Sequence, residues 1–246
     1  MERRLLTIAV SAGLLLLATP CGAGDRLDPI AEPQWTGFYL GGQLGGAWSK
    51  SAWDYKNSNW FNTLGPELVI SSFDIDANGF VGGGQTGFNF QSGAWIFGVE
   101  GSVAGTELDG HIRSPFFPYD DSYGADVGWL AAVTGRIGYA WGRWLTYGKG
   151  GWAGADIELD LFDQVTPVRA KSNIWANGYT LGGGAEYDLR NGFSLAVDYA
   201  YIDLDTNRLT LRCPTCPSGI GGGVPAVDGD LEIQSVTARI NYRFGN

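Results

Sequence analysis

Residues 182–204 read GGGAEYDLRNGFSLAVDYAYIDL, a stretch with two alternating runs around a short break at 190–192. Before the break, Tyr187 and Leu189 alternate with Glu186. After it, one face of the pattern is formed by Phe193, Leu195, Val197, Tyr199 and Tyr201 and the other by Ser194, Ala196 and Asp198. A period of two with large apolar groups on one side predicts strands that face lipid and enclose a narrow polar interior.

Six further segments show this alternation, and together with the first two they predict eight strands. They cover 35–48, 80–90, 95–104, 129–141, 144–154 and 234–244. The facing of 144–154 is ambiguous around Lys149, because that segment is rich in glycine. Eight is an even number, as a closed barrel with both termini on one side requires.

The connections between the segments alternate in length. Three are tight, turn-like joints at Gln91-Ser92-Gly93-Ala94, Gly142-Arg143 and Arg190-Asn191-Gly192. The other four are long and run about 50–78, 105–127, 155–174 and 203–231. Short periplasmic turns and long outer loops are typical of outer-membrane barrels. We therefore predict an all-β fold, an eight-stranded antiparallel transmembrane up-and-down β-barrel.

The N-terminus predicts export. Arg3 and Arg4 precede an apolar run at 5–18, followed by small residues, which is the layout of a signal peptide. A membrane helix needs about 20 apolar residues, and this run ends sooner, at Pro20. A lipoprotein acylated at Cys21 is the other alternative, although proline is an unusual residue before such a cysteine. We predict a signal peptide at 1–23, a short segment at 24–34, and a barrel domain at 35–246 in the outer membrane of a Gram-negative cell.

The chain is acidic, with a net charge of −10, and its long connections hold most of the carboxylates. Nucleic acid is excluded as a partner, because binding to phosphates depends on cationic contacts. Asp120-Asp121 and Asp156/Glu158/Asp160 suggest divalent cations, but their spacing matches no dedicated calcium loop. A solvated, repulsive outer surface is the preferred interpretation, and we expect no metal site and no cofactor.

Charged residues also occur on the predicted inner face. They are Glu100, Arg136, Glu186, Asp198, Arg239 and Arg243, with Lys149 as a further candidate. They could line the constriction of a pore, or they could form a packed polar core. Eight strands enclose little more than side chains, which favours the packed core. Unpaired buried charges are costly, so we expect these groups to pair across the interior.

Two cysteines remain after the signal peptide, Cys213 and Cys216, in a loop rich in proline and glycine. A redox CxxC site would need a helix start in an α/β pattern, and a zinc site would need two more ligands. We therefore predict a small disulfide between them.

Several tryptophans stand at predicted strand ends, where aromatic girdles meet the lipid headgroups. They are Trp35, Trp48, Trp95, Trp129, Trp141, Trp144 and Trp175.

An enzymatic role has little support in the sequence. The single histidine, His111, lies near Ser114 in a predicted loop, without an orienting acid at a defined spacing. We therefore predict that the protein is not an enzyme.

Five stretches carry a family resemblance: WTGFYLGGQLGGAW (35–48), GVEG (98–101), GRIGYAWGR (135–143), the stretch 182–204, and VTARINYRF (236–244). The sequence resembles the alphaproteobacterial small outer-membrane β-barrel (porin) family, related to the 25 and 31 kDa outer-membrane proteins, with an OmpA-like β-barrel domain. The resemblance implies residence among outer-membrane lipid and lipopolysaccharide, and a role in envelope integrity or surface exposure.

The resemblance also implies a C-terminal signal for the outer-membrane assembly machinery, carried here by Tyr242 and Phe244. The family usually ends on an aromatic residue, whereas Gly245 and Asn246 follow Phe244 in this chain.

The sequence is consistent with three functions. The first is a structural, surface-exposed envelope barrel, with or without a narrow, weak pore for small solutes. The second is a ligand-binding barrel, since some relatives are linked to haemin, whose axial ligands would be His111, Tyr119, Tyr123 or Cys213/Cys216. The third is a lipid-modifying enzyme.

Overall fold

The computed structural model describes residues 34–55, 72–113, 121–163, 168–210 and 226–244. The strands are β1 (Gly37–Tyr55), β2 (Ser72–Ser92), β3 (Trp95–Arg113), β4 (Asp121–Trp141), β5 (Trp144–Asp163), β6 (Val168–Arg190), β7 (Phe193–Thr210) and β8 (Ala226–Arg243). Each strand pairs antiparallel with the next, and β1 pairs with β8, so the sheet closes on itself. The predicted eight-stranded antiparallel barrel is confirmed.

Several predictions fall outside the described residues. They concern the signal peptide at 1–23, nearly all of the segment 24–34, the pair Cys213 and Cys216, and the terminal Gly245-Asn246. In the part of the chain that the structure describes, no helical segment has the length and apolar character of a transmembrane helix.

The three predicted tight turns join β2 to β3, β4 to β5 and β6 to β7. Gly93, Gly142 and Asn191 have φ values of 61°, 54° and 53°, the left-handed conformation that two-residue hairpin turns require. These turns mark one end of the barrel, called here the turn end, and the opposite end is called the loop end. β1 begins and β8 finishes at the turn end.

The strands are longer than predicted, and the four long connections are correspondingly shorter. Each strand has 18 to 23 residues, about twice the 9–11 residues that a membrane strand needs. The segment 155–160, predicted as loop, lies inside β5. Its carboxylates alternate with Ala155, Ile157 and Leu159, which are buried. The loop prediction was wrong because the apolar residues of this segment face the interior and its carboxylates face outward. This is the reverse of the arrangement in the lipid-facing segments.

Strand β8 shows how the apolar and polar faces exchange along one strand. Near the turn end its outer face is apolar, with Ile240 and Tyr242 exposed, while Arg239 and Asn241 are buried. Beyond Gln234, towards the loop end, Asp230 and Glu232 are exposed and Leu231 and Ile233 are buried. The wall is therefore apolar outside and polar inside at the turn end, and polar outside and apolar inside at the loop end.

The reversal occurs at paired positions on neighbouring strands. Gln234 on β8 is in register with Tyr201 on β7 and with Trp48 on β1. Just beyond this level, Asp203 is in register with Glu232, and Lys50 with Asp76. A lipid-facing wall needs an apolar outer band, whereas a wall in water needs an apolar core. The level of reversal therefore marks the boundary of the hydrocarbon.

Outward-facing carboxylates lie on every strand except β6 on the loop side of this boundary, and this surface is called the acidic collar. It comprises Asp54, Asp74, Asp76, Glu107, Asp109, Asp126, Asp156, Glu158, Asp160, Asp203, Asp205, Asp228, Asp230 and Glu232. Lys50, His111, Arg113 and Lys171 are the basic side chains described on the same surface. The predicted acidic surface is thus built on strands more than on loops.

Inside the collar lies an apolar core. Leu108, Val127, Leu204, Leu231 and Ile233 belong to this cluster, and each is at most 5% exposed. Trp53 is fully buried nearer the loop end, where its indole Nε1 donates to Ser51 Oγ at 2.9 Å. The loop-end half is therefore packed like a water-soluble barrel.

We predict opposite tolerances to arginine on the two halves of β7. Val197 lies in the middle of the apolar outer band and is 60% exposed, so Val197→Arg should lower the free energy of unfolding by about 2–4 kcal/mol. Asp205→Arg, on the same face in the collar, should change it by less than about 0.5 kcal/mol. Urea unfolding in lipid vesicles, followed by tryptophan fluorescence, measures both. An equal loss of unfolding free energy in the two variants would contradict the assigned boundary of the hydrocarbon.

Candidate functional site

The candidate site is a layer of charged and polar side chains inside the turn-end half, called here the charged layer. Every strand contributes to it: Tyr39 from β1, Asn89 from β2, Glu100 from β3, Arg136 from β4, Tyr147 and Lys149 from β5, Glu186 from β6, Asp198 from β7 and Arg239 from β8. Inward positions on neighbouring strands meet here because the interior of an eight-stranded barrel is narrow. The layer therefore joins all eight strands across the interior.

Glu100 and Asp198 both pair with Arg239 and Lys149, and Glu100 also lies 3.8 Å from Arg136. Arg239 donates to Glu100 Oε2 at 2.7 Å and to Asp198 Oδ2 at 3.0 Å. Lys149 Nζ lies 2.6 Å from Asp198 Oδ1 and 3.7 Å from Glu100 Oε1. The phenol of Tyr39 donates to Glu100 at 2.7 Å. These contacts settle the facing of Lys149, whose side chain is directed inward and only 10% exposed.

Arg136 lies between two aromatic rings. Its guanidinium carbon is 4.7 Å from the centre of the Tyr39 ring and 5.1 Å from that of Tyr147. Its Nε donates to Asn89 Oδ1 at 2.8 Å, and its Nη1 is 3.7 Å from Glu186 Oε2. Cation–π contacts and ion pairs gain strength where water is excluded, so this arginine is held firmly.

The charges in the layer balance. Three cations, Arg136, Lys149 and Arg239, face the three carboxylates Glu100, Glu186 and Asp198, and all six side chains are at most 10% exposed. A buried carboxylate or guanidinium is tolerated only with well-placed partners. The layer is therefore a closed set of ion pairs.

Arg243 lies apart from this layer, nearer the turn end. It donates to Asp188 Oδ1 at 3.2 Å, and its guanidinium carbon is 4.9 Å from the ring of Trp35. The prediction that Trp35 belongs to an outer girdle is wrong. Trp35 has the same parity as the inward residue Tyr39, and it is fully buried in an apolar cluster with Ile96.

The other six tryptophans of the predicted girdles face outward. Trp95, Trp141 and Trp144 lie at the turn end, with exposures of 46–51%. Trp48, Trp129 and Trp175 lie on the other side of the apolar band, with exposures of 39–57%. Their two levels are about where the lipid headgroups of the two leaflets would meet the wall.

The interior remains closed beyond the charged layer. A cavity of about 50 Å³ adjoins Lys149 and Asp198 and is also lined by Thr134 and Thr180. That volume holds only a few water molecules. Further towards the loop end, the apolar core begins with Leu130 and Ile202, which also line the cavity.

Sequence reasoning missed several members of the site. Asp188 has the same parity in β6 as Glu186, so the pattern could have identified it as an inward acid and a partner for Arg243. The phenol of Tyr39 was not recognised as a partner of Glu100. Hydrogen bonds between distant strands leave no signal in a single sequence.

The residues predicted to lie in loops are found in different environments. His111 lies in β3 in the acidic collar, with a side chain 65% exposed and its Nδ1 4.0 Å from Asp109. Tyr123 is buried inside β4, at 2% exposure. Ser114, Tyr119 and the two loop cysteines lie outside the described residues. Within the described ranges, no group of three His, Cys, Asp or Glu side chains is arranged to hold a metal ion.

The closed wall, its apolar outer band and its ion-paired interior define a transmembrane β-barrel of the outer-membrane type. The 31 kDa outer-membrane immunogenic protein of Brucella melitensis biotype 1 is 31% identical over 248 residues, which is 98% of each chain. The 22 kDa outer membrane protein of Rhizobium leguminosarum bv. viciae is 28% identical over 174 residues, 69% of this chain and 64% of that relative. The structure of the outer membrane protease OmpT from Escherichia coli matches with a TM-score of 0.52 and 9% identity, over 85% of this chain and 97% of that one, a likeness of fold alone.

The outer membrane protein beta-barrel domain family matches residues 10–244, and the chain belongs to this family. It is a protein of the outer membrane, set among outer-membrane lipid and lipopolysaccharide. The predicted family and location are confirmed. The curated relatives that it matches are named as outer-membrane proteins, not as enzymes.

We predict that the charged layer stabilises the fold. Arg239→Met leaves Glu100 and Asp198 with a deficit of positive charge and should lower the free energy of unfolding by about 3–5 kcal/mol. Lys171→Met is the matched control, because its ion pair with Glu158 is exposed and should contribute no more than about 1 kcal/mol. Urea unfolding in detergent micelles measures both. Similar small losses would show that the layer is not a stabilising network.

Proposed function

We propose that the protein is a non-enzymatic structural barrel of the outer membrane, which supports envelope integrity and displays its acidic collar at the cell surface. By the rule for such barrels, the turn end faces the periplasm and the loop end faces the exterior. We also propose that the assembly machinery recognises the end of β8. There the rings of Tyr242 and Phe244 face outward and touch edge to face at 5.0 Å.

The observation that carries this proposal is the filled interior. A conducting barrel needs a continuous aqueous path, and here two different barriers lie in series. The first is the charged layer, in which Glu100 and Arg239 are at most 3% exposed. The second is the apolar core, where Leu204 and Ile233 are fully buried. Between them lies a cavity of about 50 Å³.

The refolded protein should therefore give no conductance steps in a planar bilayer. Arg136→Ala should also give no conductance steps, because it opens only the charged layer and leaves the apolar core in place. Matched recordings with an open porin of the same preparation control for insertion. Reproducible steps in the wild type would overturn the closed barrel, and steps whose size changes in Arg136→Ala would place that residue in the lining of a narrow pore.

A haemin-binding barrel is the second candidate, and one observation favours it. Among the described residues considered as axial ligands, His111 is exposed on the collar, whereas Tyr123 is buried inside the wall. If this candidate is right, haemin titration should give a Soret shift that His111→Ala abolishes and Lys50→Ala retains. Absence of a Soret change in the wild type would exclude it.

A further inference from the structure

The collar contains a depression on the outer face of β3, β4 and β5. Gly124 on β4 is in register with His111 on β3 and with Asp160 on β5. One step nearer the loop end, Ser122 is in register with Phe162. Because Gly124 has no side chain, its backbone forms the floor of the depression, and this floor is itself buried. The two flanking strands are about 10 Å apart, at two interstrand spacings.

These five residues line a groove of about 240 Å³. The imidazole of His111 leans over the floor, since a Cβ placed on Gly124 would lie 3.1 Å from its Nε2. Pockets for drug-sized ligands have volumes of about 300–1,000 Å³. The groove is smaller than these, so it fits a ligand of one ring and is too small for a porphyrin.

The lining combines one aromatic face with several hydrogen-bonding groups. Phe162 is 36% exposed and offers a ring on which an apolar ring face can stack. Around it stand the carboxylate of Asp160, the hydroxyl of Ser122 and the imidazole of His111. A flat ring with apolar C–H faces and a rim of hydroxyl groups, as in a pyranose sugar, matches both parts of this lining.

The position of the groove indicates where such a sugar would come from. Gly124 lies five residues beyond Trp129, the outer-boundary tryptophan of β4, or roughly 15 Å along the strand at about 3.3 Å per residue. Because the strands of such barrels tilt by about 40°, this corresponds to roughly 11 Å along the membrane normal. With the loop end facing the exterior, as proposed above, the groove lies beyond the lipid headgroups, at the height where the saccharide of lipopolysaccharide surrounds an outer-membrane protein.

The surrounding charge restricts the kind of sugar. Burial raises the pKa of the Asp126 carboxyl, and Asp109, Glu158 and Asp160 add to the rise against the opposing effect of His111. The carboxylates next to the groove thus repel one another, and they would also repel a phosphate or a carboxylate on the ligand.

We propose that this groove binds an uncharged pyranose unit of the lipopolysaccharide saccharide that surrounds the barrel. The protein would then hold the lipopolysaccharide layer by a specific sugar contact in addition to its lipid-facing band. The proposal is independent of whether the barrel conducts.

Saturation-transfer difference NMR on the full-length protein, in a detergent without a sugar headgroup, tests this proposal. The probes are dephosphorylated core oligosaccharide released from lipopolysaccharide, glucose, galactose, N-acetylglucosamine and glucose 6-phosphate. We expect transfer to neutral pyranose protons of the oligosaccharide and none to the phosphorylated sugar. Phe162→Ala should weaken binding about tenfold, as expected for the loss of one stacked ring.

Gly124→Ala should abolish the signal, because the added methyl group fills the floor and displaces His111. Gly128→Ala is the matched control, since Gly128 is an exposed glycine on the same strand and its Cβ would meet only Asp156 Oδ2, at 3.8 Å. A heat-dependent gel shift verifies that each variant is folded. No transfer in the wild type, equal transfer in Gly124→Ala, or equal loss in Gly128→Ala overturns the proposal. Transfer to free monosaccharides but not to the oligosaccharide would overturn lipopolysaccharide as the source.

Discussion

Hydrocarbon offers no hydrogen-bond partner to a backbone amide or carbonyl, so every strand that crosses it must be paired on both edges. In this chain the requirement is met by the pairing of β1 with β8, which closes the sheet. Closure with eight strands makes the interior so narrow that side chains from opposite walls touch. The contacts of Arg239 with Glu100 and Asp198, which reach across from β8 to β3 and β7, follow from that narrowness.

The charged layer and the apolar core solve the same packing problem in two environments. Where lipid surrounds the wall, the outer face takes the apolar residues, and the interior must be satisfied by polar groups that pair with one another. Where water surrounds it, the outer face takes the carboxylates, and Leu204 and Ile233 fill the interior. The result is a filled barrel, in which the surface facing the exterior, rather than a lumen, is available for interactions.

Alternation along single strands was enough to predict the eight strands, the three tight turns and the inward facing of Glu100, Arg136, Asp198 and Arg239. Strand length was underestimated because carboxylates such as Asp156 and Glu158 were assigned to loops. The apolar residues between them pack into a core that exists only in the closed barrel, so the sequence did not show that they are buried. Trp35 was misplaced because it was assigned by its position near a strand end alone, whereas it has the same parity as Tyr39, whose side chain is buried inside the barrel. The glycine floor at Gly124 depends on register between three strands, which no single segment contains.

The reversal of polarity along the wall also fixes the immersion depth of the barrel. A shift of one residue pair towards the periplasm would carry Asp203 and Glu232 into hydrocarbon, and a shift the other way would expose apolar residues of the band to water. Both displacements are unfavourable, so the barrel resists vertical movement and imposes its own apolar height on the bilayer. Lipids around it would adjust their thickness to the protein, and hydrophobic mismatch of this kind sorts membrane proteins among bilayers of different thickness.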